Sequence, residues 1–209
     1  MSLLWLAADR PFDAEREAGD AVARWSRSGF ERPQYLQMIT VLQSRLYVGR
    51  SRDAWDLIDF HRRELATSLF RRVQHTRVEI ANWRARAALA LALEGGNAHG
   101  LQAIALEQAR RIGREQMPWS NPFATLIRAT VAYQQGDRRA AIDGLTAAAE
   151  GFTSADMHMH AAACRRRLGI LIRGSDGAAL RADADRFFAQ QDVRNPTALL
   201  RVIAPGFPD

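Results

Sequence analysis

The sequence predicts an all-α fold made of antiparallel helical hairpins packed side by side. Between Thr67 and Gly96, apolar residues recur at steps of three or four, which is the spacing of one face of an α-helix. They are Leu69, Val73, Thr76, Ile80, Trp83, Ala87 and Leu91. Similar stripes end at Gly49 and Gly136, and no alternating strand pattern lies between them. Because an amphipathic helix in water is stabilised mostly by packing its apolar face, the neighbours of this central helix must also be helices.

Three helices are predicted before the central one, at about 11–29, 32–49 and 51–66. Glycine tolerates the left-handed conformation that ends many helices, so Gly49 is expected to cap the second helix at its C-terminus. Ser51 is a typical N-cap residue and is expected to begin the third. A short break at about 66–68 separates the third helix from the central one.

The central helix also carries charged residues on a second face. Arg72, Glu79 and Arg86 follow a helical spacing, and this face is predicted to lie in water. The segment 95–97, Gly-Gly-Asn, is the clearest turn in the chain and separates the central helix from the next one, predicted at about 98–116.

The C-terminal half is divided by prolines and capping residues. Pro118 is expected to end one helix, Asp137 to cap another, and Asn195 to begin the last. Thr153-Ser154 is interpreted as a helix start, and the segment 174–176 as the end of that helix. The predicted helices are at about 123–136, 138–152, 153–173, 178–191 and 196–203.

These helices form hairpins of similar length within one predicted domain, 1–209. The hairpins are expected at about 11–49, 51–95, 98–136 and 137–173, followed by capping helices at 176–204. The small and large residues Ala129, Gly136, Ala141, Leu145 and Ala148 match the spacing of a tetratricopeptide repeat. The chain therefore resembles a degenerate tetratricopeptide array, which implies a short right-handed solenoid of about nine or ten helices.

A solenoid of this kind has a concave surface lined by the first helix of each hairpin. Five residues are expected to face it and to bind a partner, although tyrosines near turns are also common packing residues. They are Gln43, Tyr47, Thr130, Tyr133 and Gln134.

Composition limits the possible partners. The chain has 209 residues and a net charge of +6, and its 29 basic residues, all arginine, are mixed with 23 acidic ones. A solvated basic surface is the better interpretation, so nucleic-acid binding through Arg71-Arg72 or Arg165-Arg166-Arg167 is disfavoured. The single cysteine, Cys164, fits a reducing compartment. No apolar run approaches the ~18 residues of a membrane span, so we expect a cytoplasmic protein without a membrane partner.

The sequence contains no pattern that predicts catalysis. Phosphate-binding loops and kinase catalytic motifs are absent. His160 and Cys164 lie one helical turn apart, but two ligands and an off-face His158 do not make a tetrahedral metal site. Nothing acidic is placed to orient His160 as a base for Cys164. We therefore expect no catalytic residue, no metal and no cofactor.

Several segments resemble one particular class of protein. They are Leu69-Phe70-Arg71-Arg72-Val73-Gln74-His75, Arg84-Ala85-Arg86-Ala87-Ala88-Leu89-Ala90, Met117-Pro118-Trp119, the stretch 151–169, Val193-Arg194-Asn195-Pro196 and Ala204-Pro205-Gly206-Phe207. Together they look like the C-terminal tetratricopeptide-like region of large bacterial eukaryotic-type serine/threonine protein kinases. In such proteins a kinase domain and an ATPase-like module precede the helical repeats, so the resemblance implies a regulatory region without the kinase half.

The sequence thus favours a non-catalytic interaction or scaffold module. Its expected partner is a protein or peptide, including another domain of the same parent chain. The alternative is an effector-sensing or nucleic-acid-binding helical-repeat domain of a transcription regulator. The oligomeric state, and whether the chain stands alone or belongs to a larger kinase, are left open at this point.

Overall fold

A computed structural model describes residues 2–25, 30–95 and 97–209, and these ranges contain α-helices, a 3-10 turn and no strand. The predicted all-α class is confirmed, but the described ranges hold twelve α-helices, more than predicted. The helices are α1 Ser2–Ala7, α2 Pro11–Ala23, α3 Arg32–Tyr47, α4 Ser51–Phe60, α5 Arg62–Thr67, α6 Gln74–Leu93, α7 Ala98–Arg114, α8 Asn121–Gln134, α9 Arg138–Ser154, α10 His158–Ile172, α11 Gly174–Gln190 and α12 Pro196–Ile203.

Helices that follow each other in the chain also pack against each other. This holds for α2 with α3 and α3 with α4, and for each successive pair from α6 to α11, while α4 packs directly on α6. The last helix, α12, departs from this order because it returns to contact α3, α1 and α10. The backbone N–H of Arg194 donates to the carbonyl of Ala7 at 2.8 Å. The two ends of the described chain therefore meet.

The central helix α6 is shorter than predicted at its N-terminal end. It begins at Gln74 rather than Thr67, because Leu69–Arg72 form a 3-10 turn and Val73 is extended. Leu69 and Val73 are consequently 70% and 55% exposed instead of buried. Such a turn rotates each residue farther than an α-helix does, so the stripe read from the sequence loses its register there.

The second half of α6 is buried on nearly all sides. From Ala81 to Ala92 every residue except Arg84 is buried, and the many alanines allow neighbouring helices to approach closely. The prediction that Arg86 lies in water is therefore wrong, since its side chain is only 4% exposed. A helix buried all round has no wet face to receive a charged residue.

Most predicted turn and cap residues are confirmed. Gly49 has a φ of +77°, as expected for a left-handed helix end. The side chains of Asn97, Asp137 and Asn195 accept hydrogen bonds from backbone N–H groups three residues later, as N-caps do. These local signals fixed the starts of α7, α9 and α12.

Other boundaries differ from the prediction. Arg50, not Ser51, is the N-cap of α4, and Ser51 is the first helical residue. Thr153-Ser154 end α9 instead of beginning α10. The break before α11 falls at Arg173, whose φ is +62°, so Gly174 already begins that helix. The predicted end of the first helix at Gly29 lies outside the described residues.

The C-terminal segment 204–209, defined as the residues after α12, covers α8 and α10. Arg167 donates from Nε to the carbonyl of Ala204 at 3.2 Å and from Nη1 to that of Pro208 at 2.5 Å. Gln134 donates to the carbonyl of Gly206 at 3.1 Å. The Phe207 ring packs on Tyr133 with centroids 4.9 Å apart. The segment is thus held by side chains from the middle of the sequence.

We expect Gly206→Ala to lower the free energy of unfolding more than the same substitution at a glycine that has a similar φ but no atoms close to the added Cβ. Gly206 has a φ of +85°, and an added Cβ would lie 2.5 Å from Thr130 Cγ2 and 2.8 Å from Gln134 Nε2. Gly136→Ala is the matched control, because its φ is +84° and nothing lies within 4 Å of the added Cβ. The control should cost about 1 kcal/mol, and Gly206→Ala at least ~1 kcal/mol more because of the clash. Urea unfolding measures both, and equal losses would show that the segment does not pack as described.

Candidate ligand-binding pocket

A cavity of about 410 Å³ lies between α6 and the helices around it, with α12 as one wall. Its walls are mainly apolar and include the aromatic side chains of Trp83, Trp119 and Phe123. The rest of the apolar lining is aliphatic or methionine: Leu3, Val78, Met157, Met159, and Val202 and Ile203 of α12. The polar lining side chains are Gln43, His75, Glu79, Asn82, Arg86 and His160. The volume lies within the range of about 300–1,000 Å³ typical of small-molecule sites, which are usually apolar with a few polar groups.

Arg86 is the most deeply buried charged residue of the pocket lining. Its Nη1 donates to the carbonyl of Val202 at 3.3 Å. Its guanidinium carbon lies 4.7 Å from the ring centroid of Trp83 and 5.4 Å from that of Phe123. Its Nε and Nη2 are buried and have no hydrogen-bond partner in the described part of the chain. A buried cation with unused donors is costly, so Arg86 needs a physical explanation.

Arg86 remains charged at neutral pH. Burial lowers the pKa of its guanidinium to about 9, while Cys164 and Glu79 act in the opposite direction. The carboxylate of Glu79 does not pair with Arg86 but accepts a hydrogen bond from the Tyr35 hydroxyl at 2.6 Å. Burial and this carboxylate raise the pKa of Tyr35. The pocket therefore contains one buried positive charge that no described carboxylate neutralises by direct contact.

His160 and Cys164 lie near Arg86 but are not activated. Burial, and secondarily the charge of Arg86, lower the pKa of His160 to about 3, so its ring is neutral at pH 7. The ring packs 5.3 Å from Phe123 and 5.1 Å from Phe152. Cys164 is fully buried, and burial raises the pKa of its thiol to about 12. At neutral pH the thiol is protonated and is not a nucleophile.

Two of the five predicted partner-binding residues lie on α3 and are buried. Gln43 lines the pocket beside Val202. Tyr47 donates its hydroxyl to Asp9 Oδ1 at 2.7 Å, and its own carbonyl accepts from Arg201 Nη1 at 3.3 Å. Both side chains are thus turned into the chain.

The other three lie on α8, beneath the C-terminal segment. Thr130 is buried and donates to the carbonyl of Leu126, and its methyl group borders Gly206. Tyr133 packs on Phe207, and Gln134 donates to the carbonyls of Leu89 and Gly206. In this conformation the chain's own C-terminus occupies the surface that these residues form. Partner binding by the five residues stays a prediction.

The sequence interpretation missed the pocket residues Asn82, Trp83, Arg86 and Phe123. One signal for Arg86 was available. It stands directly before a run of alanine and leucine that extends to Leu93, and such a run leaves little room for a wet face. A charged residue at the edge of such a run indicates either a misread period or a buried charge.

No family model, curated protein or solved structure matches this chain. Function therefore has to be argued from the geometry of the pocket.

Two further structural findings concern membrane-spanning helices and metal ligands. No helix in the described ranges is long and apolar enough to cross a membrane. Nor do three histidine, cysteine or acidic side chains gather there as metal ligands would.

We expect the Cys164 thiol to be inert in the folded chain. Because the side chain is fully buried and its pKa is raised to about 12, Ellman's reagent at pH 7 should label it only as fast as the chain unfolds. The same reagent in urea should label the thiol at once, which serves as the control. Rapid labelling of the native chain would contradict both the burial and the protonated thiol.

Proposed function

We propose that this chain is a non-catalytic sensor module that binds a small, largely apolar molecule in the pocket beside Arg86. The observation that carries this proposal is the composition of the pocket wall, since α6 from the middle of the chain and α12 from its end form it together. A molecule bound there contacts elements that are far apart in sequence. Its binding therefore favours the conformation in which those elements are docked.

The lining supports binding of an apolar body. Trp83, Trp119 and Phe123 offer flat surfaces, and aromatic side chains supply much of the contact energy in binding sites. Met157 and Met159 are partly exposed at the pocket, and the flexible thioether side chain adapts to ligands of different shape. These features favour a bound small molecule over a water-filled gap.

The role of α12 supports sensing. Val202 and Ile203 line the pocket, and the carbonyl of Val202 accepts the hydrogen bond from Arg86. A ligand that touches α12 binds the docked state more tightly than an undocked one, so by linkage it stabilises docking to the same extent. Occupancy of the pocket is thereby transmitted to the C-terminal segment.

The setting we propose follows the sequence resemblance. The stacked helices would be a tetratricopeptide-like solenoid in the C-terminal region of a bacterial serine/threonine kinase or a similar cytoplasmic signalling protein. The docked or undocked C-terminal segment would then change the contacts of the module with a protein partner or with another domain of the parent chain. Thr130, Tyr133 and Gln134 would become available to that partner when the segment undocks, and Gln43 and Tyr47 when α12 also leaves α3.

Nucleic-acid binding is less favoured by the positions of the arginines. Within the cluster 165–167, Arg165 donates to Thr153, Arg166 pairs with Asp185 at 2.7 Å, and Arg167 is buried. In the other cluster Arg72 is exposed, and the side chain of Arg71 lies outside the described residues. The described arginines of these clusters do not form one continuous basic face, as backbone-phosphate binding requires.

We expect apolar probes to slow hydrogen exchange in α12. Two probe pairs are suitable: 2-naphthoate with 2-naphthamide, and decanoate with decanamide. If at least one probe binds, the amides of α12, and that of Ala204 just after it, which donates to the carbonyl of Leu200, should exchange more slowly because opening of this helix destroys the pocket. At a probe concentration ten times its Kd the slowing should be roughly tenfold. Hydrogen exchange read by mass spectrometry measures it.

Helix α11 is the internal control, because none of its residues lines the pocket. Its local exchange should change little. The proposal fails if none of the four probes binds saturably, or if a bound probe leaves exchange in α12 unchanged.

A further inference from the structure

We propose that the molecule bound in this pocket is an organic monocarboxylate with a flat apolar body, and that Arg86 binds its carboxylate. This inference rests on the proposed function, because it specifies the chemistry of the ligand in the same pocket. It is drawn from the unused donors of Arg86, the charges around them and the rings beside them.

The two nitrogens of Arg86 without hydrogen-bond partners are placed so that they can bind one carboxylate together. Nε and Nη2 form one edge of the guanidinium, so their N–H bonds point in parallel and match the two oxygens of a carboxylate. The third nitrogen, Nη1, is already used by the carbonyl of Val202. Arg86 can therefore keep its contact with α12 while it binds a carboxylate through the opposite edge.

The charge balance favours a single negative charge on the ligand. Arg86 is the one buried cation of the pocket, because His160, with its pKa lowered to about 3, stays neutral. His75 lines the pocket but is exposed. Glu79 already contributes a carboxylate to the lining and would repel a second negative charge. A monoanion pairs directly with Arg86, whereas a phosphate dianion would bring a second negative charge close to the Glu79 carboxylate.

The rings beside Arg86 explain the need for a flat apolar body. The rings of Trp83 and Phe123 lie against the guanidinium and shield it from water. Trp83 Nε1 is also buried without a hydrogen-bond partner among the described residues, so no hydrogen bond fixes that ring. Because Nε and Nη2 are buried, a carboxylate reaches them only when a neighbouring side chain such as Trp83 moves aside, and the flat body of the ligand then packs on the aromatic lining of the pocket. The dry surroundings then strengthen the ion pair.

Arg167 provides a contrast within the same chain. It borders a separate cavity of about 320 Å³ next to the C-terminal segment. Its Nε and Nη1 are both bonded to carbonyls of that segment, and only Nη2 lacks a partner. Asp209 supplies a compensating negative charge nearby. Arg167 thus has no free edge for a carboxylate, and its contacts are those of a structural residue.

The experiment compares each acid with its amide, because the two members of a pair have the same apolar body and differ in charge. We expect 2-naphthoate, which has a flat apolar body, to bind the wild-type chain at least ten times more tightly than 2-naphthamide, measured by titration calorimetry and by tryptophan fluorescence. Arg86→Met should remove this preference, and Arg86→Lys should keep part of it, since lysine supplies the charge but not the two parallel donors.

Two further variants sharpen the test. Arg84→Met is the matched control, because Arg84 is on the same helix but pairs with Asp59 and packs on Trp55 outside this pocket. It should leave the preference for the acid unchanged. Glu79→Gln removes the nearby negative charge and should tighten acid binding severalfold without affecting the amide. This variant keeps the test informative even if Arg86→Met fails to fold.

The outcomes separate the inference from the proposed function. Equal binding of acid and amide by the wild-type chain overturns the carboxylate inference and leaves the sensor proposal intact. The acid could also bind more tightly than the amide to the wild-type chain and equally so to Arg86→Lys and Glu79→Gln. In that case the carboxylate does not bind at Arg86, and the carboxylate inference is overturned. If no probe binds at all, the proposed function itself fails.

Discussion

The structure depends on two arginines that are buried in the core and donate to the backbone of the chain's own C-terminus. Arg86 donates to the carbonyl of Val202, and Arg167 to those of Ala204 and Pro208. A buried charge without partners costs several kcal/mol, on the order of 3–5 when one partner of a buried pair is removed. The middle of the chain therefore tolerates these arginines only when the C-terminal residues are in place. This constraint joins the end of the sequence to α6 and α10.

The two arginines also show how the same residue type can serve different purposes. Arg167 uses two nitrogens on carbonyls, stands over the Phe207 ring at 5.7 Å and is near Asp209. Arg86 contacts one carbonyl and two rings, lines a cavity, and has a buried edge whose two nitrogens lack hydrogen-bond partners among the described residues. The difference lies in how completely the donors are satisfied. Because two of its nitrogens lack hydrogen-bond partners among the described residues, Arg86 is the better candidate for binding a ligand.

Local sequence signals predicted much of the fold, and non-local contacts account for most of the errors. The glycine and capping residues at Gly49, Asn97, Asp137 and Asn195 depend on a few neighbouring residues, so they could be found from the sequence. The burial of Arg86 depends on Val202, which is 116 residues away. The packing of α12 against the N-terminal helices is non-local in the same way. The spacing of apolar residues within one helix cannot predict such contacts between distant parts of the chain.

The candidate site illustrates the same limit. The five residues predicted to face a groove lie on α3 and α8, and their binding of a partner stays a prediction. The sequence could not show that the segment 204–209 covers α8, because docking of this segment is decided by Arg167 and Gln134 acting on its carbonyls. Helical periodicity locates a face, whereas the occupant of that face is set by tertiary contacts.

Burial shifts the pKa values of Arg86, His160 and Cys164, but with different consequences for their charge at neutral pH. The pKa of Arg86 starts so high that a value of about 9 still leaves the side chain charged at pH 7. The same loss of water lowers the pKa of His160 to about 3 and raises that of Cys164 to about 12, so the base is too weak and the thiol stays protonated. Burial thus leaves Arg86 able to pair with an anion, whereas it activates neither His160 as a base nor Cys164 as a nucleophile.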